Sequence, residues 1–297
     1  MMNKNKFCIV YNPISGSGGS IKIVKKIERD FNNSSIKYHI FQSEYKGHIK
    51  KYCQNCIDYT QFLIIGGDGT FHEAVNGFLK NVNLKLITVG FFPGGTGNSF
   101  MYDLNAITYA QAYNKIINGR VKKIDILQLK FNDNIEYAFN IVGWGLVSDI
   151  NILAEKLRFL GSQRYNIASL YYIFNRNLQS AELIIDGKSR KDKYLFIMCL
   201  NTIHTGKAMK AAPRALLDDG LLDLVLLESK ISTLKLIILL TKIFKGTHIH
   251  SKYVKYIQAK SITIKPKTNS ILNIDGENKL KTPIKISVLP KVFKIFY

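Results

Sequence analysis

The chain has 297 residues, 46% of them hydrophobic and 21% charged, which excludes bulk disorder and leaves material for one large domain or two modest ones. Forty-two Lys and Arg against 21 Asp and Glu give a formal charge of +21, a balance that favours polyanionic partners without choosing among nucleic acid, nucleotides and an anionic membrane surface. No apolar run reaches the ~20 residues of a membrane-spanning helix, and no signal-peptide pattern opens the chain. With four cysteines and no paired framework, the expectation is a cytoplasmic protein, soluble or peripheral to a membrane.

In chain order, Phe7–Tyr11 reads as a strand ending at Asn12-Pro13, and Ile21, Val24, Ile27 and Phe31 then fit one helix face. Tyr38–Phe41 reads as a strand and His48–Tyr59 as a helix. Within that helix Cys53 and Cys56 form a lone CxxC, which lacks the second ligand pair of a zinc site and reads as small buried residues. Phe62–Ile65 and Leu86–Phe92 are further strands, and Tyr109–Ile117 is a helix stopped at Asn118-Gly119. Strands alternating with helices predict a parallel α/β domain over residues 1–122.

From residue 123 to 297 the texture changes. Ile124–Phe131, Tyr137–Val142, Ala181–Ile185, Tyr194–Asn201, Leu222–Glu228, Ser261–Pro266, Ser270–Ile274 and Ile284–Leu289 read as strands separated by turn signals such as Asp186-Gly187. This predicts a mainly antiparallel β domain with two helical insertions, near Ile150–Asn177 and Ser232–Lys245.

Three glycine-rich turns follow strands of the first domain. They are Asn12-Pro13-Ile14-Ser15-Gly16-Ser17-Gly18-Gly19, Gly66-Gly67-Asp68-Gly69-Thr70, and Pro93-Gly94-Gly95-Thr96-Gly97-Asn98. In a parallel sheet the C-terminal strand ends share one edge, so the turns should converge where ligands bind. Bare backbone N–H groups and a helix N-terminus suit phosphate, and Asp68 in such a turn can serve as a base or organise a metal. The chemistry expected is phosphoryl transfer from a nucleotide. The first turn lacks the Lys of a Walker P-loop, which argues against a P-loop NTPase.

Asn12-Pro13, GGDGT with Glu73 and Asn76-Gly77, and PGGTGN together resemble the catalytic domain shared by diacylglycerol, sphingosine and ceramide kinases. Trp144-Gly145, Asp149, Glu155-Lys156, Arg158, Leu160-Gly161 and Arg164-Tyr165 resemble the sphingosine and ceramide kinase branch. Ala212-Pro213, Asp218-Asp219-Gly220, Lys245-Gly246, His248 and Asp275-Gly276-Glu277 extend the likeness through most of the chain. The resemblance implies an N-terminal nucleotide-binding domain, a C-terminal antiparallel β-sandwich, and an ATP site in the cleft between them. It implies Asp68 as general base on a lipid hydroxyl or its organiser. Asn12, Ser43, Gly66, Gly67, Gly69, Thr70, Gly95, Thr96, Gly97 and Asn98 would line the nucleotide, and Arg158 and Arg164 would pair with its phosphates. Glu277 would help place Mg2+ and a catalytic water, Asp219 and Asp275 would stand near metal, and Asp149 would meet the acceptor's polar head. Taken without the resemblance, Arg158 and Arg164 read as a solvated helix face, Asp275-Gly276-Glu277 as a hairpin turn and Asp149 as a helix cap.

A lipid acceptor implies contact with a membrane surface. Ser232–Phe244 carries Leu234, Ile237, Ile238, Leu240 and Phe244 with Lys235, Lys242 and Lys245 nearby, a pattern that suits an interfacial helix or one packed on the β domain. The acceptor reads as a sphingoid base or diacylglycerol, with a lean to the sphingoid base. NAD kinases also carry GGDGT, so phosphorylation of a soluble acceptor is the alternative. A non-catalytic lipid- or nucleic-acid-binding module is the rival from another class. The carboxylates Asp68 and Glu277 speak against it, and no sequence-specific nucleic-acid binding is expected.

Overall fold

A computed structural model describes residues 3–176, 178–206, 208–228 and 231–297. The chain divides into two compact units: Met1–Ile126 with Lys291–Tyr297, and Leu127–Pro290. The end of the chain thus returns to the first unit.

The first unit holds β1 (Asn3–Tyr11), α1 (Gly19–Asn33), β2 (Lys37–Gln42), α2 (His48–Asn55), β3 (Tyr59–Gly66), α3 (Asp68–Phe78), β4 (Thr88–Pro93), α4 (Ser99–Asp103) and α5 (Tyr109–Ile117). β1 pairs in parallel with β2 and β3, and β3 with β4, so the sheet order is β2-β1-β3-β4. Phe62, Leu63, Ile64 and Ile65 of β3 are all fully buried, as a strand covered on both faces requires. α1 buries Val24, Ile27 and Phe31, whereas Ile21, expected on that face, is largely exposed at the helix start. Thr108 and Gln111 form a capping box that fixes the start of α5. α2 stops at Asn55, earlier than the periodicity predicts, and Tyr59 belongs to β3. Cys53 and Cys56 are buried free thiols, in line with the packing reading.

The second unit is an antiparallel sandwich. Its strands are the end of β5 (Val121–Phe131), β6 (Asn134–Ala138), β7 (Ile141–Gly145), β8 (Gln179–Ile185), β9 (Lys188–Leu200), the short β10 (His204–Thr205) and β11 (Met209–Lys210), β12 (Leu222–Glu228), β13 (Val254–Ala259), β14 (Ser261–Pro266), β15 (Ile271–Ile274), β16 (Glu277–Lys281) and the start of β17 (Ile284–Phe296). Among the described residues, the α-helices α6 (Leu146–Lys156), α7 (Arg164–Phe174) and α8 (Thr233–Ile243) accompany them.

β9 joins the two layers: its first half pairs with β8, and its second half lies between β7 and β12. Alternation along β9 and β12 sets the layering. Ile197, Cys199, Leu222, Leu224 and Leu226 enter the core with Trp144, whereas Phe196, Met198, Val225 and Leu227 face a second apolar cluster shared with the helices. The expected strand Tyr137–Val142 is interrupted at Phe139-Asn140, and β13 and β16 are additional strands that the hydrophobic pattern alone did not mark. β17 pairs antiparallel with β14 through Ile284–Ser287, then reaches β4 in parallel at Ile295, which explains the return of the C-terminus to the first unit.

Candidate active site

The three glycine turns do converge. β1, β3 and β4 run parallel, so their C-terminal ends at Tyr11, Gly66 and Pro93 lie on one edge of the sheet. The contact is backbone against backbone: a Cβ on Gly67 would stand 3.0 Å from the Gly95 Cα, and one on Gly95 would collide with the Gly67 backbone. The Gly94 N–H donates to the Gly66 carbonyl at 2.8 Å, and the Gly67 N–H donates to Ser15 Oγ at 3.1 Å. Only glycine permits this approach.

Asp68 is the first residue of α3, with Gly67 as N-cap. Its Oδ2 accepts the Ser99 N–H at 3.1 Å and its Oδ1 the Phe100 N–H at 3.4 Å, so the carboxylate is oriented by the first amides of α4. The first bond of α3 runs from the Phe71 N–H to the Gly67 carbonyl. The amides of Gly69 and Thr70 therefore lie in the turn that has no helical acceptor, at the positive end of the helix dipole. Asn98 is held left-handed (φ 48°), and its side-chain amide bonds both the N–H and the carbonyl of Gly95, at 2.9 and 2.7 Å. Thr96 and Gly97 are exposed beside it, while Thr70 and Ser43 are buried. Asn12 Oδ1 accepts the Ile14 N–H at 3.2 Å and so shapes the first turn.

The expectation of wholly bare amides needs correction. Those of Gly67 and Gly95 already have side-chain acceptors, Ser15 and Asn98. Ser15 is a site residue that the sequence reading passed over, although it lies in the quoted first turn. The backbone amides of Ser99 and Phe100 were also missed, because nothing in a sequence marks a main-chain donor.

In the second unit Asp149 sits in the first turn of α6, which begins after Gly145 at φ 74°. Burial raises its pKa, and the carboxylate in turn helps raise that of Tyr172 on α7. It is not the N-cap, which is Gly145.

Arg164 opens α7, pairs with Glu155 at 3.5 Å and lies over the Tyr165 ring at 4.9 Å. Phosphate binding would require it to exchange that partner. The Arg158 side chain lies outside the described residues.

Glu277 begins β16 and pairs with Lys279 Nζ at 2.8 Å. Asn151 of α6 donates to the Gly276 carbonyl at 2.9 Å, tying this turn to the helix that carries Asp149. The carboxylate of Asp275, expected near metal, is buried and accepts the N–H groups of Phe139, Asn140 and Ile141 at 3.1, 2.9 and 3.0 Å. It anchors the break between β6 and β7, where three adjacent amides would otherwise be buried without acceptors. Asp219 accepts the Leu221 N–H at 3.0 Å within its own turn.

Among the described residues, no group of three or more His, Cys, Asp or Glu is placed to hold a metal ion.

Comparison with known proteins agrees with this arrangement. Residues 6–129 match the diacylglycerol kinase catalytic domain, and residues 140–297 match the YegS C-terminal NAD kinase beta sandwich-like domain. The chain belongs to the lipid kinase family that combines these two domains.

Among its relatives, Bacillus subtilis diacylglycerol kinase is 27% identical over 91% of this chain and 88% of its own length. Arabidopsis thaliana sphingosine kinase 1 is 25% identical over 92% of this chain and 68% of its own. A solved Bacillus anthracis structure titled a "putative diacylglycerol kinase" superposes with a TM-score of 0.82 at 27% identity, covering 100% of this chain and 98% of that one.

Proposed function

We propose that the protein is an ATP- and magnesium-dependent lipid kinase that transfers the γ-phosphate to a hydroxyl of a membrane lipid, a sphingoid base or diacylglycerol. The observation that carries this reading is Asp68, oriented by the α4 amides at the convergence of three glycine turns. The turns supply N–H groups and hydroxyls for the nucleotide phosphates, with Gly69, Thr70, Thr96 and Gly97 the foremost contacts. Asp68 accepts the proton of the lipid hydroxyl as that oxygen bonds to the γ-phosphorus and the bond to the ADP oxygen breaks. A magnesium ion on the phosphates would supply the cation that offsets their charge; Asp68 is the first unit's candidate to hold it, and Glu277 and Asp219 are the candidates that the family resemblance gives in the second unit.

Asp149 supports the lipid reading. It is a partly buried carboxylate whose pKa is raised by burial, and it would be satisfied by the amine or hydroxyls of an acceptor's head. An amine would gain most, which keeps the lean to a sphingoid base.

The test is magnesium-dependent transfer of labelled phosphate from ATP to sphingosine, ceramide, diacylglycerol and NAD offered in parallel. Label in a lipid supports the proposal, and its head group decides between the acceptors. Label in NAD alone would replace the proposal with soluble-acceptor chemistry.

A further inference from the structure

α6 buries two polar side chains on one face. Ser148 and Asn151 stand three residues apart, a spacing that places side chains one above the other along a helix, and they are 1% and 4% exposed. A helix packed on a sandwich gains by burying apolar side chains, and a buried polar one costs stability unless its hydrogen bonds are made. Both residues make theirs outside the helix. Ser148 Oγ donates to the Gly143 carbonyl at 2.8 Å and accepts the Asn273 N–H at 3.1 Å. Asn151 Nδ2 donates to the Gly276 carbonyl at 2.9 Å and to Asn278 Oδ1 at 3.1 Å.

These contacts surround Glu277. Ile274 pairs with Glu277 across the β15–β16 hairpin, so Asp275 (φ 49°) and Gly276 (φ 90°) form its two-residue turn. The Gly276 N–H is held by Asn273 Oδ1 at 3.2 Å, and the Gly276 carbonyl by Asn151. The peptide leading into Glu277 and the side chain following it are therefore both fixed by one amide of α6. That amide is itself oriented, because the Tyr165 hydroxyl donates to Asn151 Oδ1 at 3.3 Å and Arg164 Nη2 donates to that hydroxyl at 3.4 Å. A leucine would fill the same space and make none of these bonds.

We propose that Asn151 is a positioning residue of the phosphate transfer, acting through Glu277. A polar network with every member satisfied holds its neighbours rigid. Here what it holds is the start of β16, where the carboxylate proposed to help place magnesium is attached. The inference deepens the lipid-kinase proposal and rests on it for the role of Glu277. Asp149, the proposed head-group contact, belongs to the same turn of α6, so one helix sets both carboxylates.

The experiment uses the full chain as the parent and as Asn151→Ala, Asn278→Ala, Glu277→Gln and Asn151→Ala with Glu277→Gln. It reads steady-state transfer of label from ATP to lipid, and calorimetric binding of ADP with magnesium and with a chelator. Thermal melting checks that each variant is folded. Asn151→Ala should lower kcat about thirty- to a hundredfold, with both Michaelis constants within about threefold of the parent. Magnesium should tighten ADP binding by the parent about tenfold or more, and Asn151→Ala should lose most of that gain while binding ADP in chelator as the parent does. Asn278→Ala should show both effects in smaller measure, and it carries the test if Asn151→Ala does not fold. In the Glu277→Gln background, Asn151→Ala should change kcat no further, because the two residues act as one unit.

Losses that add across the two substitutions, or a folded Asn151→Ala with parental kcat and only a lower melting temperature, would overturn the positioning role. So would ADP binding by the parent that magnesium leaves unchanged. Labelled lipid together with additive losses would sink this inference and spare the kinase proposal. A magnesium gain lost in Asn151→Ala, with no lipid labelled by the parent, would break the kinase proposal and leave the positioning role standing.

Discussion

Two Asp-Gly turns, Asp68-Gly69 in the first unit and Asp275-Gly276 in the second, look alike in sequence and hold their carboxylates differently. Asp275 is 4% exposed and spends its carboxylate on three adjacent backbone amides. Asp68 is half-buried among the glycine turns, and two amides of α4 are among its partners. The difference teaches that an acidic residue in a glycine turn is chemistry or architecture according to how many buried donors the neighbouring backbone leaves beside it. A carboxylate saturated by main-chain N–H groups has little left for a substrate.

The largest expected effect separates the two turns. Asp68→Asn keeps an acceptor for one of the two α4 amides and removes the base, so kcat should fall at least about a thousandfold while the melting temperature drops by only a few degrees. Asp68→Ala should be as inactive and somewhat less stable. A kcat within tenfold of the parent for Asp68→Asn would remove the base from the mechanism.

Asp275→Ala should do the reverse. Three buried N–H groups lose their acceptor, and denaturant unfolding should show a loss of about 3 kcal/mol or more. A stable variant with a changed magnesium dependence would return Asp275 to the metal.

A third effect tests the close approach of the turns. In Gly95→Ala the new methyl meets the Gly67 backbone, and the Michaelis constant for ATP should rise by about ten- to a hundredfold, more than that for lipid. Equal change in both constants would mean that the contact serves the fold more than the nucleotide.

The smallest effect concerns Asp149. Asp149→Ala should raise the lipid Michaelis constant about tenfold and leave that for ATP unchanged. Because burial raises its pKa, the carboxylate is lost on acidification at a higher pH than an ordinary Asp. With an amine-bearing acceptor, affinity should hold at higher pH and fall as pH drops through that raised value. In Asp149→Asn this pH step should vanish; its persistence would assign the titration to another group.

Much of the fold was legible in the sequence. The switch from helix-and-strand alternation to turn-punctuated strands marks the change from a parallel α/β fold to an antiparallel sandwich. α5, β12 and β14 coincide with the predicted segments Tyr109–Ile117, Leu222–Glu228 and Ser261–Pro266. The convergence of three turns also followed from parallel topology alone. What escaped was non-local. β17 runs past Leu289 because Ile295 finds a partner in β4, far away in sequence, and β13 and β16 are strands by virtue of their neighbours β12 and β15. At the site, the glycine motifs announced Asp68, but not Ser15 holding the Gly67 amide or the α4 amides orienting the carboxylate. The role of Asp275 depended on amides some 135 residues away in sequence.

The most direct test of the central claim is magnesium-dependent phosphate transfer from labelled ATP by the parent and by Asp68→Asn, with sphingosine, ceramide, diacylglycerol and NAD as acceptors in mixed micelles. The account predicts label in a lipid with the parent and none above background with Asp68→Asn. Label confined to NAD, or equal lipid labelling by the two proteins, would contradict it.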